Sequence, residues 1–226
     1  MFRNLVNKNI ITFTTDKNYL PFAEILVNSI IKNSPDIQMV GRFVDCDTSD
    51  VQPFAKKINI IADNKNICKK KNLTTSEGLY ATEDFFYNNK TSVKPVKLFY
   101  SKLISYCSNI KFETLSNLLN VGVQSVVYLD VDSIVRGDLT ELYKELNKND
   151  FCFFKDKPYT QQFEGGTRLE GSDFLYHGGL IGISNNYKTK KIFKKITNTV
   201  NKNIYDWDID EYILPKIINE NVNILN

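Results

Sequence analysis

The chain has 226 residues, enough for one large domain with a sizeable core, and its 42% hydrophobic, 12% aromatic and 24% charged residues are those of an ordinary globular protein. A net charge of +3 argues against a dedicated nucleic-acid binder, which concentrates far more Lys and Arg on one face. Cys46, Cys68, Cys107 and Cys152 are widely spaced, without a CxxC pair or neighbouring histidines, so they read as reduced thiols rather than a disulfide framework or zinc site.

The opening stretch "MFRNLVNKNIITF" lacks the apolar core of a signal peptide, and no apolar run approaches the length of a membrane span. A cytoplasmic location is the expectation, and the acceptor-like triplets at Asn72 and Asn89 carry little weight without a secretory signal.

Ile10 to Thr14 is the predicted first strand. After the polar turn "TDKN", apolar residues at Phe22, Ala23, Leu26, Val27, Ile30 and Ile31 predict a helix over Tyr19 to Asn33, with Pro21 tolerated in its first turn. Ile37 to Val44 and Ile58 to Ile61 read as strands, so the order strand, helix, strand predicts a βαβ unit and a parallel sheet. Ala62 to Gly78 is polar and irregular, an expected loop with Lys69, Lys70 and Lys71 in solvent.

Pro95 to Tyr106 and Phe112 to Leu119 read as two helices, and Gly122 breaks the pattern before a strand over Gln124 to Leu129. Asp138 to Leu146 is a predicted short helix, Phe151 to Phe154 a strand, and Phe174 to Ile183 a strand interrupted by glycines. The intervening Lys155 to Asp173 has little apolar pattern, and a loop of that length commonly serves as a lid or binding loop. Lys188 to Asn203 is a basic amphipathic helix with Ile192, Phe193, Ile196 and Val200 on its apolar side. Its lysines are either a solvated face or at most a peripheral contact with an anionic membrane. No internal repeat or second domain is visible.

Asp130 and Asp132 stand one residue apart at the end of the apolar run "SVVYL". An unpartnered carboxylate behind a strand is expensive to desolvate, so a cation or a structural partner must offset the cost. At the C-terminal end of a parallel strand the pair faces the mouth of the sheet, where ligands bind. Both can converge on one ion only if the chain turns at Val131, because neighbouring strand residues alternate faces. A hard cation, Mn²⁺ or Mg²⁺, would take both carboxylates and leave positions for water and phosphate oxygens. The competing reading is a pair of turn or helix-capping aspartates.

The surrounding "VVYLDVDSIVRGDLTELY" resembles the metal-binding signature of nucleotide-sugar glycosyltransferases of the GT-A fold, particularly the family-8-like group. Three further segments match in the expected order. "ITFTTDKNYLPFAEILVNSI" is similar to the group's opening strand, turn and helix, "FLYHGGLIGISNN" to its FNSGVxLIN segment, and "DEYIL" to its late DQDIL element. The resemblance implies an α/β, Rossmann-like GT-A fold with a mostly parallel central sheet flanked by helices. It also implies a single domain over 1–226, with a nucleotide-binding half to about 132 and an acceptor-side half beyond.

The same resemblance implies donor-binding roles for Thr14, Asp16, Asn18 and Tyr19, the last by stacking on the base, and for Val131 between the metal-binding Asp130 and Asp132. Lys97 or Lys102 stands where the group often has a basic residue directed at phosphates or sugar, and His177 and Gly178 fall in the glycine-rich late segment. The bland account of "TTDKNY" is helix capping with a hydrophobic staple. His177 is the only histidine, so the late histidine that the group commonly uses as a third metal ligand is missing, and the chain stops soon after "DEYIL". An acceptor-binding portion is therefore expected to be absent.

The cluster Asp206, Asp208, Asp210 and Glu211 precedes the last predicted helix and supplies the candidate catalytic carboxylates, Asp210 first, then Glu211, then Asp208. Glu211 in place of the retaining group's glutamine leans the reading slightly to inversion. The expected partners are a nucleotide-sugar donor, by default a UDP-sugar, and a glycan or other hydroxyl acceptor. Two rivals share the motif: a haloacid-dehalogenase-like phosphatase, and a nucleotide-sugar-binding protein without turnover. The phosphatase motif normally opens its domain, whereas here more than a hundred residues precede it.

Overall fold

A computed structural model describes residues 3–67, 73–81, 93–155, 176–206, 213–214 and 224–225. The elements run β1 (Asn9–Asp16), α1 (Leu20–Asn33), β2 (Gln38–Val44), α2 (Thr48–Val51), β3 (Asn59–Asp63), β4 (Leu73–Ala81), β5 (Val93–Ser101), α3 (Lys102–Asn109), α4 (Lys111–Val121), β6 (Ser125–Leu129), α5 (Thr140–Leu146), β7 (Phe151–Lys155), β8 (Tyr176–Ser184), α6 (Tyr187–Lys202) and β9 (Ile224–Leu225).

Seven strands form one sheet in the order β3-β2-β1-β6-β8-β7-β9. β3, β2, β1 and β6 are mutually parallel, β8 runs antiparallel to β6 and to β7, and β9 is parallel to β7. The chain leaves β1 in one direction through β2 and β3, then returns to β1's other side with β6. That reversal is a topological switch point, and the crevice beyond the carboxyl ends of β1 and β6 is where such sheets bind ligands.

Side-chain alternation explains the three layers. Along β1 and β6, Ile10, Val126 and Tyr128 enter one core with Phe112, Leu115 and Leu118 of α4 and Phe193 and Ile196 of α6. The intervening Ile11, Phe13, Val127 and Leu129 enter the other, with Ala23, Leu26, Val27 and Ile30 of α1 and Tyr143 of α5. The strands are therefore apolar on both faces, as a helix-covered parallel sheet requires. At Gly41 on β2 an added Cβ would lie 2.7 Å from Phe43 and 2.8 Å from Phe13, so only glycine fits that close approach.

Two readings of the sequence are corrected. The stretch expected to be loop to Gly78 contains β4, and the helix expected from Pro95 begins only at Lys102, because Val93–Ser101 is a strand paired antiparallel with β4. The apolar positions Val96, Phe99 and Leu103 fit a helical period, but Val96, Leu98 and Tyr100 also alternate. The partner strand decides between the two periods. Pro95 is tolerated because both strands of a two-stranded sheet are edges. Ser101 then caps α3, its hydroxyl accepting from the Ile104 amide at 3.2 Å. The expected lid over Lys155 to Asp173 lies outside the described residues except for Lys155 itself.

Beneath the sheet's far edge, Arg42 of β2 is buried and donates from Nε to Asp63 at 2.8 Å and from Nη1 to Glu113 at 3.0 Å. The Tyr106 hydroxyl donates to the same Asp63 carboxylate at 2.9 Å. These bonds tie α3 and α4 to β2 and β3, which fixes the wall that α3 presents to the switch-point crevice.

Candidate donor site

β1 and β6 pair in register from Asn9 with Ser125 to Thr12 with Tyr128, so Thr14 near the end of β1 and Asp130 just past the end of β6, each two residues further, stand at the same level. β6 stops at Leu129. The Ser133 amide donates to the Asp130 carbonyl at 3.0 Å, closing a turn over Val131 and Asp132, and the Asp130 amide donates to the Gly179 carbonyl of β8 at 2.9 Å. The chain thus turns at Val131, as convergence of the two aspartates requires, with Asp130 half-buried and Asp132 exposed.

A cleft of about 210 Å³ is lined by Thr14, Thr15, Asp16 and Tyr19 from the end of β1, by Ile104, Cys107 and Ser108 from α3, and by Tyr128, Asp130, Val131 and Asp132. A larger cleft of about 690 Å³ opens on the other side of the same turn, where Asp130 and Asp132 meet Ser133, Ile134, Arg136, Phe154 and Leu180. The two aspartates are common to both.

Asp16 caps the turn after β1. Its carboxylate accepts from the Asn18 amide at 2.7 Å while almost wholly buried. Burial holds its pKa above the ordinary carboxylate value, against backbone hydrogen bonds that lower it. The Tyr128 phenol is raised far more by burial and by the neighbouring Asp130 charge, so it stays a neutral hydroxyl beside the aspartates. It lies close to Thr14 as well, yet Thr14 Oγ1 is buried without a hydrogen bond of normal geometry. A poorly satisfied buried hydroxyl at a cleft wall calls for an explanation, and a ligand bound in the cleft is one.

Tyr19 is 40% exposed at the rim, its ring centroid 5.6 Å from that of Phe22, so it is not a core residue. The Lys111 ammonium is buried under the site, donating to the Gly178 carbonyl at 3.1 Å and lying 5.4 Å from the Tyr128 ring centroid. This fastens α4 to the glycine-rich strand that backs Asp130.

Of the residues singled out in the sequence, Thr14, Asp16, Tyr19, Asp130, Val131 and Asp132 meet in one cleft. Asn18 contributes its amide to Asp16 but its side chain is exposed, and neither it nor Lys102 lines the cleft. The Lys102 ammonium sits 5.5 Å above the Tyr205 ring. Lys97 lies on β5 rather than on a helix, and His177 pairs in register with Phe154 across β7 and β8; the side chains of both lie outside the described residues. Asp208, Asp210 and Glu211 lie outside them altogether. Sequence reasoning missed Tyr128 and the α3 wall. Tyr128 was accessible from alternation along β6, which puts it on the face of Asp130; the α3 residues were hidden by the misplaced helix start.

Asp130 and Asp132 offer the hard oxygen donors that Mn²⁺ or Mg²⁺ prefers, and the buried Thr14 hydroxyl lies in the wall of the same cleft, so this donor set fits such a cation with a phosphate ligand. Among the described residues no cluster of three or more His, Cys, Asp or Glu side chains is poised for a metal. Two protein carboxylates leave the remaining positions to water and ligand oxygens.

A sequence profile of the family described as Glycosyl transferase family 8 matches residues 10–218. A Haemophilus influenzae protein carrying a provisional glycosyltransferase name is 24% identical over 229 residues, covering 96% of this chain, and the chain spans 61% of that relative's length. The galactosyltransferase LgtC in complex with donor and acceptor sugar analogues shares the fold with a TM-score of 0.52 at 16% identity, over 89% of this chain and 66% of that one. An active-site mutant of LgtC gives 0.56 at 16% identity, over 92% and 70%. The glycosyltransferase GlyE of Streptococcus pneumoniae gives 0.53 at 15% identity, over 97% and 45%. The fold is thus the GT-A fold expected from the sequence.

Proposed function

Because this chain belongs to glycosyl transferase family 8, we propose that it moves a sugar from a nucleoside-diphosphate donor, with UDP the default nucleotide, to a hydroxyl of a glycan or other acceptor. The observation that carries the reading is the meeting of two clefts at Asp130 and Asp132. The narrower cleft suits the nucleotide and the wider one the sugar and its acceptor. The solved complex of LgtC with both donor and acceptor sugar analogues supports a two-substrate arrangement on this fold.

In this proposal Asp130 and Asp132 hold Mn²⁺ or Mg²⁺. The bound ion supplies charge neutralisation at the leaving diphosphate. Tyr19 stacks on the base at the rim, Thr14 gives its buried hydroxyl to the donor, and Asp16 holds the turn that lines the nucleotide side. Val131 lies against the donor between the two aspartates, with Asn18 and one of Lys97 and Lys102 as outer donor contacts. His177 and Gly178 belong to the same proposal as residues behind the sugar. The candidate carboxylates at the reacting sugar remain Asp210, then Glu211, then Asp208.

Family 8 members usually retain anomeric configuration. That outweighs the slight lean to inversion that rested on Glu211, so a product of retained configuration is expected. One domain that divides functionally near residue 132 fits the two clefts. Among the described residues no helix is long and apolar enough to cross a membrane. Cys46 and Cys152 sit buried as thiols, which suits the reducing cytoplasm included in this proposal.

A thermal-shift screen of nucleotide sugars with and without Mn²⁺ tests the reading, since a ligand of the native state raises Tm by mass action. The expected result is a shift by a UDP-sugar that needs the metal. No shift by any nucleotide or nucleotide sugar with metal present would contradict it.

A further inference from the structure

Over its sixteen residues α6 carries Lys188, Lys190, Lys191, Lys194, Lys195 and Lys202 and no acidic residue. Its apolar side is already committed, because Ile192, Phe193, Ile196 and Val200 are buried in the core that α4 shares. On the opposite side Tyr187, Lys191, Lys194, Lys195, Asn198 and Lys202 recur at steps of three and four, which aligns them in one stripe about 22 Å long. All six are exposed, Tyr187 at 84%. Lys188 is paired with Asp150 at 2.7 Å, but among the described residues no carboxylate pairs with Lys190, Lys191, Lys194, Lys195 or Lys202.

The stripe is also oriented. β8 runs antiparallel to β6, so α6 starts at the pole away from the aspartates and returns towards them. Just past its end, Tyr205 packs 6.0 Å from Tyr106 and beneath Lys102, and the Ile204 carbonyl accepts from Asn109 at 3.0 Å. The line of lysines therefore leads up to α3, the wall of the donor cleft.

We propose that this face of α6 docks the protein, peripherally and reversibly, on an anionic lipid bilayer. A row of lysines without carboxylates complements a negatively charged plane, and a tyrosine at the row's end suits the headgroup level. With the apolar face of α6 buried in the core, no amphipathic insertion accompanies the contact, so attraction is electrostatic and salt-sensitive. A nucleic acid is the poorer match. The stripe has no arginine for bidentate phosphate contacts and no second aromatic on which bases could stack. Docked along this stripe, the protein holds the α3 wall of the cleft beside the headgroups. The inference does not depend on the proposed reaction, because binding is read without turnover.

The test is cosedimentation of the full chain with vesicles of phosphatidylcholine alone and of phosphatidylcholine mixed with phosphatidylserine, at low and high salt. Binding is expected only to the mixed vesicles, and is lost at high salt. The combined Lys191→Gln, Lys194→Gln and Lys195→Gln variant should partition about a hundredfold less, at roughly fivefold per lysine. The corresponding three Lys→Arg changes should preserve partitioning, and both variants should keep the wild-type Tm. Equal binding to neutral vesicles, or undiminished binding by the glutamine variant, would overturn the proposal. So would displacement from the mixed vesicles by an oligonucleotide at equal phosphate concentration, which would reassign the stripe to nucleic acid.

Discussion

Thr14→Val separates a ligand-binding hydroxyl from a structural one, because the two roles predict opposite signs. In the free protein Thr14 is buried and its Oγ1 lacks a hydrogen bond of normal geometry, with the Tyr128 phenol its close polar neighbour, so the desolvation of the hydroxyl is poorly compensated. Such a group costs about 1–3 kcal/mol, and valine fills the same volume without it. The variant should therefore be more stable by about 1 kcal/mol, which in a domain of this size raises Tm by about 2–4 °C. Donor binding should move the other way. A hydrogen bond to a charged phosphate contributes about 1.5–3 kcal/mol, so affinity for the nucleoside diphosphate falls by roughly 10- to 150-fold. Calorimetric unfolding and isothermal titration on one preparation read both quantities. A lower Tm with unchanged affinity would refute the reasoning, and would mean that the nearby Tyr128 phenol satisfies Thr14 within the fold.

Tyr19→Ala should weaken nucleotide binding by about 1–3 kcal/mol, as loss of a base-stacking platform does, with little change in Tm because the ring is 40% exposed; a large stability loss at constant affinity would make it a packing residue. Asp16 has a folded pKa raised by burial, so its contribution favours folding at low pH and turns against it as pH rises through that raised value. Asp16→Asn should therefore raise Tm at neutral pH, with a gain that fades on acidification, and a gain independent of pH would contradict the assignment. Asp63→Ala leaves buried Arg42 without its carboxylate and should cost about 3–5 kcal/mol in urea unfolding; a loss below about 1 kcal/mol would mean that Glu113 alone suffices.

Much of the site was legible because strand ends obey simple rules. Asp130 and Asp132 after "SVVYL" marked one strand end, although the expected desolvation cost is not met, since Asp130 is only half-buried and Asp132 is exposed, and the polar "TTDKNY" after an apolar run marked a second. Parallel pairing of β1 with β6 then brings the two ends together. The long amphipathic helices α1, α4 and α6 were equally readable, since their apolar period has one interpretation.

The β4–β5 pair was not. Its strands are short of unambiguous periodicity, and pairing Leu73 with Ser101 is a long-range event that no local window contains. That error placed Lys97 on a helix and concealed Ile104, Cys107 and Ser108 as cleft residues. The short α2, opened by Asp47 and Asp50 as reciprocal caps, was missed for want of any apolar stripe.

The most direct measurement is release of nucleoside diphosphate and sugar from a nucleotide-sugar donor, followed by NMR with Mn²⁺ and with chelator, on the wild type and on Asp130→Asn and Asp132→Asn. The account predicts metal-dependent release by the wild type and none by either variant, with all three proteins melting alike in the absence of ligand. Release that persists undiminished with chelator, or at the wild-type rate in both variants, would contradict it.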